Sequence, residues 1–227
     1  MFEIIWILTS LTLMTAIVLL ARHWGSAVIT SLVAVSIIMA NIFATKMIKM
    51  FGFTVPAGIV VYSISFMLTD VLSEFYGKVK AIRAVWLGFL CNILFIFFVA
   101  IILNWSSAFE DETMFAFQKV FSLSFRVSIA ALIAYLISQF HDVFAYEFWG
   151  KKTKGKYLWI RNNASTFISQ TLDTIIFTSI SFLGVLPIFP LIIGQLILKI
   201  IIALLDTFFI YFLKGFIFKS AEYKIFE

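Results

Sequence analysis

Three kinds of residue are scarce in this chain, namely cysteine, charged residues and proline, and the first two scarcities exclude particular kinds of protein. Cys91 is the single cysteine among 227 residues, which excludes an internal disulfide and a metal cluster held by cysteines. Charged residues make up 13% of the chain and hydrophobic residues 63%, a balance that excludes an ordinary soluble domain. Three prolines leave the apolar runs largely uninterrupted. The composition is typical of an integral membrane protein.

Motifs for catalysis and nucleotide binding are also missing. The sequence contains no zinc-protease, P-loop, nucleophile-elbow or dinucleotide fingerprint. His23 and His141 fall in predicted loops, which is more typical of membrane-interface residues than of metal ligands. The basic run 151–156 contains no aromatic residue and has no nucleic-acid-binding module beside it. We therefore expect no enzymatic activity, no cofactor and no nucleic-acid partner.

Seven apolar segments are long enough to cross about 30 Å of hydrocarbon as α-helices. They cover residues 3–21, 26–45, 56–75, 81–103, 120–140, 159–185 and 188–213. The fifth is expected to continue beyond the membrane toward Gly150. Pro56 is expected to begin the third helix, and Pro187 and Pro190 to form the tight turn before the seventh. The predicted fold is an all-α, polytopic membrane helix bundle without a soluble domain.

Lysine and arginine are distributed unevenly between the two sides of this bundle. With alternating helices, one side carries twelve basic loop residues and the other carries three. Basic loops favour the cytoplasmic side of a membrane. The prediction is a multi-pass protein of the cell membrane with its N-terminus outside, its C-terminus and the run 151–156 in the cytoplasm, and the acidic loop 110–112 outside. The first segment lacks the flanks of a cleaved signal, so we interpret it as a retained helix.

A few polar residues inside these segments recur at helical spacing. In the third segment Ser63, Met67, Asp70 and Glu74 lie on one helical face, which indicates that this face contacts a partner. Similar stripes occur in the last two segments. The sixth carries Thr166, Gln170, Asp173 and Phe177 with Ser165 and Ser169 alongside, and the seventh carries Gln195, Lys199 and Asp206.

Asp173 and Lys199 are the deepest of these charges. The helical rise places both roughly 17 Å below the outer surface, so they can meet if their helices are adjacent. A charge at bilayer depth is costly and favours a polar transport site, although a purely structural ion pair is the alternative. For Asp70 and Glu74 the alternative is a hydrated helix end, and for Asn41 it is an interhelical hydrogen bond.

Several polar motifs occur together in a distinctive order. They are Met39–Phe43 with Asn41, Leu68–Gly77, Gln139–Asp142, Ala164–Thr174 and Leu198–Lys199. Over residues 39–210 the chain resembles the queuosine precursor transporter family, also called the vitamin uptake transporter family. The resemblance implies a six-helix core over residues 26–218. Residues 1–25 would then form an additional N-terminal transmembrane helix, and residues 219–227 a cytoplasmic tail.

The resemblance also implies a substrate, a deazaguanine precursor of the tRNA nucleoside queuosine in its 7-cyano or 7-aminomethyl form. A carboxylate can accept hydrogen bonds from the N–H and amino groups of a guanine-like edge, and a lysine or amide can donate to its carbonyl. Either Asp173 or Asp70 suits the first role. The aromatic residues considered for stacking are Phe177, Phe167 and Trp86. The predicted substrate-binding residues are Asp173, Lys199, Gln170, Asp70, Glu74, Asn41, Gln195 and Ser165.

Three functional classes compete for this chain. A self-sufficient carrier would alternate access to a site near the bilayer midplane. The runner-up is a substrate-binding membrane subunit of a multi-component vitamin importer, which would need a coupling subunit. An intramembrane enzyme is the weakest class, because no nucleophile and base lie at an interpretable spacing. The predicted partners are the lipid bilayer and the small-molecule substrate, with a homodimer or a coupling subunit left open.

Overall fold

A computed structural model of the protein describes residues 2–20, 22–108, 111–122, 124–184 and 186–217. Within these ranges a bundle of eight α-helices is joined by short connections and one β-hairpin. The helices are α1 (Phe2–Leu20), α2 (Ser26–Phe43), α3 (Ile59–Tyr76), α4 (Lys78–Asn104), α5 (Glu112–Ser122), α6 (Ser124–Lys152), α7 (Leu158–Phe182) and α8 (Ile188–Ile217). The hairpin strands are β1 (Met47–Met50) and β2 (Phe53–Pro56), and a 3-10 turn at Arg22–Trp24 joins α1 to α2.

The composition of these helices confirms a polytopic, all-α membrane bundle. In the described part of the chain, six helices are long and apolar enough to cross a membrane, namely α1, α2, α3, α4, α6 and α8. Helix α7 has 25 residues, but most of its buried residues are polar. Its polar side is turned toward neighbouring helices, which lowers its hydropathy without exposing those groups to lipid. The count of seven crossings stays a prediction.

Helix α3 lies at the centre of the bundle. Its residues from Ile59 to Leu72 are almost all buried, and it packs against α1, α2, α4, α6 and α8. Helix α4 lies at the periphery, where large side chains such as Leu90, Leu94 and Phe97 are exposed on its outer face. Because the surrounding solvent is lipid, this apolar exposure is what a membrane helix requires.

The hairpin was not predicted from the sequence. Pro56 ends β2 and does not begin a helix, since α3 begins at Ile59. The two turn residues, Phe51 and Gly52, both have positive φ, the backbone that a tight two-residue hairpin turn needs. Phe53 lies against Gly194 on α8, where an added Cβ would come within 3.0 Å of the Phe53 side chain. The hairpin therefore caps one end of the bundle.

The fifth predicted segment includes the end of α5 and most of its length lies in α6, and residue 123 between them lies outside the described residues. Helix α6 continues to Lys152, which confirms the expected extension toward Gly150. The placement of His141 in a loop is wrong, because it lies inside α6 and its Nδ1 is 2.9 Å from the Ser169 hydroxyl on α7. Polar side chains there face α7 and lower the local hydropathy without ending the helix. Glu110 of the acidic loop and the predicted tail 219–227 lie outside the described residues.

Candidate functional site

Four helices, α3, α6, α7 and α8, turn polar residues toward one another inside the bundle. Along α3, α6 and α8 these residues recur four to eight positions apart, about 6–12 Å along each axis. They form three levels, which we call the pocket layer, the acidic cluster and the ion network. From the hairpin end, the pocket layer contains Tyr62, Ser138, Asp173 and Lys199, the acidic cluster contains Asp70, Asp142 and Asp206, and the ion network contains Glu74, Tyr146, Arg161 and Lys214.

The pocket layer is built around a buried ion pair between α7 and α8. Lys199 Nζ donates to Asp173 Oδ2 at 2.5 Å, and both residues are at most 3% exposed. Asp173 Oδ1 accepts from the Tyr62 hydroxyl at 2.5 Å and from the Ser138 hydroxyl at 3.2 Å. The Lys199 ammonium also lies 5.1 Å from the centre of the Tyr62 ring. The predicted meeting of Asp173 and Lys199 is confirmed, and three helices fix the carboxylate between them.

This ion pair forms part of the wall of a cavity below the hairpin. The cavity has about 440 Å³ of empty space when its open mouth is included. About 50 Å³ of it is available to the centres of water molecules, so the cavity is narrow. Its lining residues are Ala40, Asn41, Ala44, Pro56, Gly58, Ile59, Tyr62, Ala131, Asp173, Phe177, Gln195 and Lys199. Two aromatic rings, two amides and an ion pair therefore face one narrow space.

The two amides of the cavity are held by neighbours. Asn41 Nδ2 donates to Asn92 Oδ1 at 2.7 Å, which joins α2 to α4, as the interhelical alternative predicted. Gln195 Nε2 donates to the Thr178 hydroxyl at 3.1 Å, which joins α8 to α7. Each of these bonds uses the amide nitrogen, so the side-chain oxygen of each residue remains a potential acceptor.

The acidic cluster lies below the pocket layer and contains one carboxyl group each from α3, α6 and α8. Thr166 donates to Asp70 Oδ2 at 3.1 Å, and Asn162 Nδ2 donates to Asp206 Oδ1 at 3.2 Å. Asp142 is fully buried, and hydroxyl groups of α7 lie beside it, those of Ser165, Thr166 and Ser169. These hydroxyls donate to Asn162 O, Asp70 Oδ2 and Ser165 O, so neither oxygen of Asp142 accepts a hydrogen bond. Among the described residues, no group of three His, Cys, Asp or Glu side chains is arranged to hold a metal ion.

The ion network closes the end of the polar column that is opposite the hairpin. Arg161 pairs with both oxygens of Glu74, Lys214 Nζ lies 2.7 Å from Glu74 Oε1, and the Tyr146 hydroxyl donates to Glu74 Oε2 at 3.0 Å. The Glu74 side chain is 6% exposed. These contacts tie α3 to α6, α7 and α8, so this end of the column is sealed by paired charges.

The structure divides the eight residues predicted for substrate binding between these levels. Asn41, Asp173, Gln195 and Lys199 line the cavity. The other four lie deeper: Asp70 belongs to the acidic cluster, Ser165 and Gln170 are buried on α7, and Glu74 belongs to the ion network. A role in substrate binding stays a prediction for all eight.

Of the three aromatic residues considered for stacking, one faces the cavity. Phe177 is part of its lining. Trp86 packs edge-on against Phe89 and Phe140 and is 48% exposed, and Phe167 is 53% exposed. Tyr62 was not considered and contributes the second ring to the cavity.

Helix α6 supplies the polar face that sequence reasoning missed. Ser138, Asp142 and Tyr146 each enter a different level of the column, and their four-residue spacing was the available signal. Gln139 adds a fixed contact with α3, because it donates to Ser65 at 3.1 Å and accepts from Thr69 at 3.1 Å. The fifth predicted membrane segment ends at residue 140, so the last two members of this four-residue pattern fall outside it and the polar face was missed.

Comparison with known proteins places this arrangement in a family. A family model described as "Putative vitamin uptake transporter" matches residues 56–213, a range that holds the hairpin's last residue, the pocket layer and the acidic cluster. The chain belongs to the vitamin uptake transporter family. This membership confirms the resemblance seen in the sequence. Helices α1 and α2 precede the matched range, and the predicted division into residues 1–25 and 26–218 stays a prediction.

A curated relative supports the same assignment. The transporter-family chain is 33% identical over 183 residues, 80% of each protein, to a Bacillus subtilis (strain 168) protein named "Probable queuosine precursor transporter". No solved structure matches the chain. The family and the relative are transporters, so the protein is a multi-pass membrane transporter and not an enzyme.

Proposed function

We propose that this transporter imports a queuosine precursor, 7-cyano-7-deazaguanine or its 7-aminomethyl form, across the cell membrane. The observation that carries the proposal is the buried pair of Asp173 and Lys199 in the wall of a narrow cavity flanked by aromatic rings. The name of the Bacillus subtilis relative supports the choice of substrate.

The cavity offers the groups that a guanine-like base needs. The base presents an N–H and an amino group side by side, and one carboxylate can accept from both. Asp173 provides that carboxylate, and Lys199 provides a donor for the carbonyl on the same edge. Phe177 and Tyr62 provide ring faces for a flat bicyclic molecule, and base–aromatic stacking contributes about 1–3 kcal/mol.

Binding would change the partners within this pair. Three donors already contact the two oxygens of Asp173, and a carboxylate has about four acceptor positions. In our proposal the base takes up a position between the two charges, so that Lys199 turns from Asp173 toward the base carbonyl. Both charges then remain paired or hydrogen-bonded, which keeps the cost of burial low in either state.

The two ends of the polar column suggest how access alternates. The cavity lies beneath the hairpin, whereas the ion network seals the opposite end. With the orientation predicted from basic loops, the hairpin end is outside and the structure corresponds to an outward-facing state. Release into the cytoplasm would then require Glu74 to separate from Arg161 or Lys214.

Uptake by living cells tests the substrate and the direction together. Cells that cannot make queuosine precursors would receive each labelled base, with the transporter gene or with an empty vector. We expect the transporter to raise intracellular label and to restore queuosine in tRNA. Equal uptake in both strains would contradict the proposal. Activity that appears only with a copurifying membrane coupling subunit would instead favour the binding subunit of a larger importer.

A further inference from the structure

The acidic cluster contains three carboxyl groups that have no positively charged partner among the described residues. Asp70, Asp142 and Asp206 are each at most 1% exposed, and no ion pair among the described residues includes any of them. An isolated ionised carboxylate buried in an apolar medium is strongly destabilised. Three such carboxylates in one place require a bound cation or bound protons.

The arrangement of two of these groups favours protons. The Asp70 and Asp142 carboxyl groups are within hydrogen-bonding reach of each other. Two ionised carboxylates repel at this distance, whereas a carboxylic acid can donate to a carboxylate. Asp70 Oδ1 and both Asp142 oxygens accept no hydrogen bond, because the three hydroxyls beside Asp142 donate to other oxygens. A proton between them would satisfy these buried atoms, and among the described residues no three His, Cys, Asp or Glu side chains are arranged to hold a metal ion.

A further buried group points into the cluster with an unused acceptor. Asn162 is fully buried, donates to Asp206, and its own Oδ1 has no hydrogen-bond donor. If Asp206 carries a proton, its hydroxyl needs a hydrogen-bond acceptor, and Asn162 Oδ1 is an unpaired acceptor on a residue that contacts Asp206. The cluster is thus rich in acceptors and short of hydrogen atoms.

The nearby titratable and charged groups on all four helices are already engaged. Lys199 pairs with Asp173, and Arg161 and Lys214 pair with Glu74. The His141 ring contacts Ser169, and the Tyr146 hydroxyl donates to Glu74. The titratable and charged groups of the two adjoining levels, together with the neighbouring His141, are, by helix, Glu74 on α3, His141 and Tyr146 on α6, Arg161 and Asp173 on α7, and Lys199 and Lys214 on α8.

We propose that the acidic cluster is a proton-binding site, centred on Asp70 and Asp142, through which substrate movement is coupled to proton movement. The coupling part rests on the proposed function. The cluster lies between the pocket layer and the ion network, one to two helical turns from each. Protonation joins α3 to α6, and loss of the proton makes their carboxylates repel. The protonated cluster would therefore favour one conformation of the bundle, and the deprotonated cluster would favour another. A proton bound from water on one side of the membrane and released on the other side would then drive the change between them.

Infrared spectroscopy tests the bound proton without any substrate. A protonated buried carboxyl group gives a C=O stretching band that shifts in heavy water. We expect this band at neutral pH in the purified wild-type protein, and we expect its intensity to fall or its frequency to shift in Asp142→Asn or Asp70→Asn, because each variant removes one partner of the proton. Glu147→Gln is the matched control, because Glu147 is on the same helix as Asp142 but pairs with Lys78 and Lys151 at a partly exposed site. Absence of the band in the wild-type protein would overturn the proposal.

Transport in proteoliposomes tests the coupling. With one proton per base, a gradient of one pH unit should accumulate labelled base by up to about tenfold. Asp142→Asn should abolish this accumulation but retain exchange of the base between equal concentrations, and Glu147→Gln should behave as wild type. Accumulation that follows a sodium gradient and ignores pH would overturn the coupling. If the wild type does not exchange the base at all, the proposed function fails, and the infrared band decides the proton site by itself.

Discussion

Removal of one partner of the Asp173–Lys199 pair should destabilise the protein more than removal of both. Each residue is at most 3% exposed, so a single substitution leaves a charge buried without its counterion. Breaking a buried pair in this way costs about 3–5 kcal/mol, whereas replacing the whole pair by neutral groups of similar size is often close to neutral. We therefore expect Asp173→Asn combined with Lys199→Met to be more stable than either single variant.

The hydrogen bonds suggest which single variant is milder. In Lys199→Met the carboxylate keeps two hydroxyl donors, Tyr62 and Ser138. In Asp173→Asn the ammonium loses its carboxylate and keeps the face of the Tyr62 ring, at 5.1 Å. Lys199→Met should therefore lie nearer 3 kcal/mol and Asp173→Asn nearer 5 kcal/mol.

Denaturant unfolding of the protein in detergent micelles would measure these differences. Lys151→Met is the matched control, since Lys151 forms an exposed pair with Glu147 and such pairs contribute about 0–1 kcal/mol. Uptake per folded molecule separates structure from function. A double variant with normal protein level and no uptake supports a substrate site, and full uptake by that variant would refute it.

Three further changes test the topology, the cavity and its packing. In a cysteine-free background, a cysteine at Thr153 should not react with an impermeant label in intact cells, whereas a cysteine at Thr113 should react. Labelling at Thr153 would contradict the predicted orientation. Phe177→Ala should weaken binding of the base about 5- to 150-fold if its ring stacks on the base, as equilibrium binding would show, and unchanged affinity would exclude that contact. Gly58→Ala should lower the free energy of unfolding by about 1–3 kcal/mol, because the added Cβ would lie 2.2 Å from a backbone oxygen of α2. Gly215→Ala is the control, since its Cβ would meet no atom within 4 Å, and denaturant unfolding should show no measurable change.

Residue spacing was sufficient to predict the ion pair. Asp173 and Lys199 lie on consecutive antiparallel helices, and the constant helical rise determines the depth of each from the connecting turn. Helices α7 and α8 pack together, so two side chains at the same depth come into contact. The all-α class followed from apolar length alone, because the membrane permits few alternatives.

The partners of Glu74 could not be predicted in this way. Local spacing offers lysines close in sequence, at positions 78 and 80, as possible ion-pair partners if Glu74 lies at a hydrated helix end. Gly77, with φ of 81°, ends α3 and redirects the chain, and Lys78 pairs with Glu147 on α6. Glu74 instead contacts Arg161 and Lys214, which are distant in sequence. Such contacts depend on the tertiary packing of helices, which local spacing does not specify.

The hairpin and the polar face of α6 were missed for related reasons. The strands have four residues each, and their stability depends on contact with α8, not on a strong sequence signal. Around Gln139 and Asp142 the hydropathy falls, which indicated the end of a membrane helix. In the structure both side chains are fully buried within the bundle. Their polarity is therefore explained by contacts with neighbouring helices, and not by a position at the membrane surface.

Binding of the base to the purified transporter tests the central claim most directly. Isothermal titration would use 7-cyano-7-deazaguanine and its 7-aminomethyl form with the wild type and with the Asp173→Asn, Lys199→Met double variant. We predict saturable binding of at least one base to the wild type, competition by guanine-like compounds with the same hydrogen-bonding edge, and no binding to the folded double variant. Equal affinity in the two proteins, or no binding of either base to the folded wild type, would contradict the account.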